Sequence, residues 1–175
     1  MRILWGPRLE VAMSYLRGIV VQLNTGLGRH SGTDDPIYVG VNGTGGGREF
    51  PLDVKWFDDF ERRSRVKYIL GEVWDAEASA GAKSPSKSRG DWNDPALFYV
   101  EFEKIDRLYL RKHAGRRRAD DDAYELDEVR VTLYGESPKK RVFRCGTAIW
   151  LGLEYGMQVW IPEVDPDELT PSLRA

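Results

Sequence analysis

Three short stretches carry the side chains with chemistry to offer: Gly32-Thr33-Asp34-Asp35, then Lys55-Trp56-Phe57-Asp58-Asp59-Phe60, then Asp120-Asp121-Asp122. Each sets adjacent carboxylates in a polar or glycine-bearing surrounding that reads as a loop. Carboxylates gathered from several loops, together with backbone carbonyls, make the ligand set of a hard cation such as Ca²⁺, which takes about six to eight oxygens. The same aspartates have a plainer use as turn caps, bonding to their own backbone two residues on. In the second stretch Trp56-Phe57 puts two bulky aromatics beside the carboxylates. They suit a lipid interface, where Trp is favoured, or a plug at the end of a core.

Catalytic machinery is missing from the pattern. There is no GxSxG elbow and no HExxH. The two histidines, His30 and His113, both fall in polar segments, whereas a triad needs one buried beside a nucleophile. Cys145 is the single cysteine and reads as a small buried hydrophobe, with no disulfide partner in the chain. Gly26-Leu27-Gly28 follows a strand pattern but leads into another strand, so no helix N-terminus waits for phosphate. Gly43 to Gly47 lacks the Gly-Lys-Ser/Thr of a phosphate loop.

The elements that hold these loops are strands. Ile19, Val21 and Leu23 alternate with polar neighbours, as do Ile37, Val39 and Val41, then Val66, Tyr68 and Leu70, then Val129, Val131 and Leu133. A period of two belongs to strands with one face on a core. Asn42-Gly43 is a strong turn dipeptide. Further strands are expected at Glu49 to Leu52, Leu97 to Phe102, Ile105 to Leu110, Arg141 to Arg144 and Trp150 to Ile161. Residues 71–95, with an Ala, Ser, Gly, Lys and Pro centre from Ala76 to Gly90, read as a mobile insertion with little to bury. Arg111 to Arg118 is a basic run answered at once by the Asp120 triplet, which reads as a solvated hairpin tip. No helical period is sustained and no repeat appears. The expected division is a lead-in over 1–17, a sandwich over 18–161 and an acidic tail over 162–175.

The 175 residues suit one domain that buries about two-thirds of its unfolded surface. With 26 basic and 28 acidic side chains the net charge is −2, which argues against a nucleic-acid partner. The opening MRILWGPRLEVAMSYLRGIVV is a poor signal peptide, and no run reaches the roughly 20 apolar residues of a spanning helix. The expectation is a cytoplasmic protein whose contact with a membrane, where it has one, is peripheral.

In order along the chain, GTDDPIYVGVNG, DDFERRS, AYELDEVRVTLYG and VFRCGTAIWL resemble the successive landmarks of PLAT/LH2 (lipoxygenase homology) domains, over Gly18 to Leu153. The resemblance implies an all-β, antiparallel β-sandwich of about eight strands. It also implies a calcium set drawn from Gly32, Thr33 and Asp34 in the first loop, Asp59 in the second, and Asp122 with Ala123 in the third. Trp56 and Phe57 would then be membrane-contact residues. Two departures stand out. His30 occupies a position that is aspartate in the toxin branch of the family, and the Lys55 to Phe57 segment lacks the Asn and Gly expected there.

The functional expectation is a non-catalytic targeting or interaction module that binds a lipid or membrane surface with Ca²⁺ as cofactor. The alternative is a protein–protein docking or regulatory partner of a separately encoded enzyme, working through a sheet face without lipid contact.

Overall fold

A computed structural model describes residues 13–114 and 121–165. The alternating apolar sets all point to one interior. Ile19, Val21, Ile37, Val39, Tyr68, Leu70, Val129, Val131 and Leu133 have no exposed surface, and they join one buried cluster with Phe50, Leu110 and Phe143. Each strand in that set presents its other face outward, which is what forces two sheets to stack.

The strands are β1 (Gly18–Thr25), β2 (Ile37–Gly43), β3 (Gly46–Pro51), β4 (Arg65–Gly71), β5 (Ile105–Lys112), β6 (Tyr124–Tyr134), β7 (Lys140–Cys145), β8 (Ile149–Leu151), β9 (Gln158–Trp160) and β10 (Glu163–Val164). One sheet runs β10-β7-β6-β1-β4, with β8 also paired to β6, and the other runs β3-β2-β5-β9. All of these pairs are antiparallel. The expected antiparallel β-sandwich is therefore the fold. Among the described residues it has ten strands where about eight were expected, partly because Trp150 to Ile161 divides between the two sheets.

Several local expectations are corrected. Leu97 to Phe102 forms no strand; 3-10 turns at Pro95–Leu97 and Phe102–Lys104 flank it. Residues 71–95, expected as a mobile insertion, carry two short helices, α1 (Ala76–Ser79) and α2 (Pro85–Arg89). Asp75 and Ser84 cap them through their side chains. Between the helices, Lys83 bonds to both sides of Tyr68 on β4: its N–H donates to Lys67 O and its carbonyl accepts from Ile69 N, both at 2.8 Å. Asn93, fully buried, donates to Pro51 O. Polar side chains and backbone pairing build these elements, and hydropathy sees neither. At the other end, β10 lies in the stretch expected as tail, fixed by the Arg141–Glu163 pair at 2.6 and 2.7 Å. Residues 1–12, residues 115–120 at the end of the basic run and residues 166–175 lie outside the described residues, so the expected hairpin tip falls partly outside them.

Candidate loop-end site

Antiparallel pairing gathers four connections at the end where β1 finishes. Asn24 pairs with Arg65 and Thr25 with Leu126, so the β3–β4 loop and the start of β6 lie beside the β1–β2 loop. Tyr124 pairs with Leu151, which brings the β8–β9 hairpin to the same end. Two aromatic and hydroxyl groups floor this end. The Tyr124 hydroxyl lies 3.0 Å from Thr25 Oγ1, and burial pushes its phenol up to about 12.

The first two loops meet backbone to backbone. Thr33 N–H donates to Phe60 O, and a Cβ on Gly32 would stand 2.9 Å from the Arg62 nitrogen and 3.1 Å from Phe60 O. No larger residue fits there without moving the second loop. Thr33 Oγ1 in turn donates to the Asp122 carbonyl at 2.8 Å, linking the first and third connections. Gly32, Thr33 and Asp122 are thus brought together, with Ala123 next in sequence and packed near Gly152.

The carboxylates divide differently from the family pattern. Asp59 turns inward and is only 9% exposed. Its Oδ1 accepts from the Tyr68 hydroxyl at 2.8 Å and its Oδ2 from Val54 N–H. Burial, then the charge and hydrogen bond of Asp59, raise the Tyr68 phenol well above its ordinary value. Both Asp59 oxygens thus accept hydrogen bonds from the framework, and the residue also lines the cleft beside Asp34 and Asp58. Asp34 instead joins Asp58 and Glu61, all exposed, with one carboxylate oxygen from each within 4.8 Å of the others. Asp58 and Glu61 are additions that the landmarks did not point to. Three anionic oxygens at that separation suit a hard divalent cation in donor type. His30 is exposed, with a φ of 69°. Asp35 and Asp121 turn to Lys112.

A cleft of about 490 Å³ lies beside the trio, lined by Asp34 and Asp58 and by Phe57, Lys55, Thr33 and Trp92 among others. Phe60 is the aromatic of the second loop that enters the core, at 3% exposed, whereas Trp56 and Phe57 do not. Trp56 is 93% exposed and Phe57 36%. Trp56, Phe60 and Arg63 all adopt φ between 62° and 68°. Such left-handed backbone costs residues with a side chain roughly 1–3 kcal/mol and is concentrated at functional loops. Lys55 and Lys83 ammonium groups stand 5.3 and 4.3 Å from the Trp56 and Phe57 ring centres. Three more apolar side chains, missed in the sequence, are exposed at this end: Leu27, Leu153 and Tyr155. Leu27 between two glycines, and Leu153-Glu154-Tyr155 ahead of Gly156, were the available signals.

No family model matches the sequence, and no curated protein matches it. Solved structures do. An alpha toxin from Clostridium absonum superposes with a TM-score of 0.56 at 19% identity, over 87% of this chain and 32% of the toxin. A Clostridium perfringens alpha-toxin from an avian strain gives 0.55 at 18%, over 89% of this chain and 34% of the toxin. The chain thus spans about a third of the toxins it matches. At these identities the likeness concerns fold alone: an antiparallel β-sandwich shared with about a third of each toxin.

Proposed function

We propose that this sandwich is a non-catalytic targeting module that attaches peripherally to a lipid surface by its β1-terminal loop end, with Ca²⁺ held there by Asp34, Asp58 and Glu61. The observation that carries the reading is Trp56, almost wholly exposed on a strained loop whose neighbours supply the carboxylate trio. An indole left in water by a folded protein has most of its apolar surface still to bury. A large aromatic offers about 150–250 Å², and at about 25 cal/mol/Å² full burial is worth on the order of 4–6 kcal/mol. Even a third of that shifts an equilibrium about tenfold. Phe57, Leu27, Leu153 and Tyr155 extend the apolar rim at the same end. A bound divalent cation supplies positive charge that offsets the trio and is shared with an anionic headgroup. The exposed Lys55, Arg29, Arg62 and Arg63 add attraction to the same headgroups. Among the described residues no helix is long and apolar enough to cross a membrane.

A second reading, docking of a protein partner, has its own observation. On the open face of the smaller sheet Tyr109 lies against Gly40 and meets the half-exposed Trp160 edge-on, ring centres 5.3 Å apart. Co-sedimentation with phosphatidylserine/phosphatidylcholine vesicles, in Ca²⁺ and in EDTA, separates the two. Sedimentation with vesicles that falls in EDTA supports the lipid reading. A protein that stays in the supernatant under both conditions is a docking module.

A further inference from the structure

Lys112, the last residue of β5, has no exposed surface, although lysine is among the residue types least often fully buried. Its Nζ donates to Asp35 Oδ2 at 2.5 Å, to Asp121 Oδ1 at 3.0 Å and to the His113 carbonyl at 3.3 Å. An ammonium has three protons to give, and three acceptors receive them here. The acceptors are themselves ties. Asp35 Oδ2 also accepts from Asp122 N–H at 3.4 Å, and Asp121 Oδ2 accepts from Leu153 N–H at 2.8 Å. One positive charge therefore joins the β1–β2 loop, the start of β6 and the β8–β9 hairpin.

Two carboxylate oxygens and a carbonyl, delivered from the β1–β2 and β5–β6 connections onto one buried point, make the donor set that a hard cation takes. Both carboxylates would be left facing each other, desolvated, if the positive charge were removed. We infer that Lys112 is a built-in cation: its ammonium does at this point the loop-joining work of a metal ion, so that three connections are fastened with no added ion. Two consequences follow from the geometry. The loop end is assembled before any divalent cation reaches the exposed Asp34–Asp58–Glu61 trio. Removal of the Lys112 side chain, with both carboxylates kept, turns the point into a divalent-cation site. Neither consequence depends on lipid binding.

The test uses the full chain carrying Asp34→Asn, so that the exposed trio is out of play, with thermal melting in EDTA and in millimolar Ca²⁺. In that background the Lys112 protein should melt at the same temperature in both buffers. Adding Lys112→Ala should lower the melting temperature in EDTA, and Ca²⁺ should raise it again by several degrees; adding Asp121→Asn as well should abolish the Ca²⁺ response. A Lys112→Ala protein that ignores Ca²⁺ overturns the inference, as does a Lys112 parent that gains as much as the variant. Should Lys112→Ala fail to fold, Lys112→Met is compared with Lys112→Met/Asp35→Asn/Asp121→Asn. Recovery of folded protein in the triple variant shows that the ammonium answers the two charges. Equal failure of both shows that the lysine stem is needed only for packing and sinks the proposal.

Discussion

The Tyr68 hydroxyl donates to Asp59 Oδ1 across 2.8 Å, beneath the loop that carries Trp56. A strand residue and a loop residue are thereby locked together, and the loop apex above them is held outward. Asp59→Asn replaces one accepting oxygen by an amide that faces a donor, so we expect a loss of about 1–3 kcal/mol in urea unfolding. Tyr68→Phe should cost about 1 kcal/mol or more by leaving that oxygen one partner short. Because both Asp59 oxygens accept framework hydrogen bonds and the exposed trio is made by Asp34, Asp58 and Glu61, Asp59→Asn should keep its melting response to Ca²⁺. Loss of that response with unchanged stability would make Asp59 a ligand after all.

Ile69 N–H bonds to the Lys83 carbonyl on the outer side of β4, an edge strand of the larger sheet. Unpaired edges recruit other chains, and residues 71–95 cover this one. Hydrogen exchange should find the Ile69 amide slow. Exchange as fast as in an open loop would mean that Lys83 is detached in solution.

Legibility in the sequence followed the reach of each physical signal. The period of two at Ile19, Val21 and Leu23 reports which face a strand buries, and it held because pleating is a local rule. Loops have no such rule. Asp58 and Asp59 are adjacent, yet one faces water and the other faces Tyr68, which nothing in DDF discloses. Lys112 is different, because it was legible and overlooked. Leu108, Leu110 and Lys112 continue one alternating face of β5, but the neighbouring arginines made Lys112 look like part of a solvated basic run. The elements within residues 71–95 are built by caps and by Lys83, signals that composition averages away.

Asp121 makes stability depend on acid. Burial pushes its carboxyl up, but the Leu153 amide and the Lys112 ammonium together outweigh that and leave it below its ordinary value of 3.8. The unfolded chain therefore takes up this proton at a higher pH than the folded one. The contribution is fully present above the unfolded value and is lost as pH falls through the folded one. In denaturant titrations, the stability gap between wild type and Asp121→Asn should be constant above about pH 5 and shrink as pH falls below about 4. A gap that does not change with pH would show that the charge of Asp121 is not what Lys112 answers.

Asp34, exposed like the other two members of the trio, can be removed at little cost to the fold. At about 100 times its dissociation constant, Ca²⁺ should stabilise the wild type by about 2.7 kcal/mol, which raises the melting temperature by several degrees. Asp34→Asn should remove that rise and leave the melt in EDTA unchanged. Wild-type melting that ignores Ca²⁺, with a lower melt for Asp34→Asn, would identify Asp34 as a turn cap.

The central claim is that the loop end, and not the sheet face, meets the target. Vesicle titrations of Trp56→Ala and Trp160→Ala test it directly: Trp56→Ala should alter stability by no more than about 0.5 kcal/mol, and Trp160→Ala, which loses a half-buried indole and its edge-on contact with Tyr109, by about 1 kcal/mol or more while staying folded. Trp56→Ala should bind phosphatidylserine vesicles at least tenfold more weakly in Ca²⁺ while Trp160→Ala binds as the wild type does. Wild-type affinity in Trp56→Ala, with the loss falling on Trp160→Ala, would contradict it.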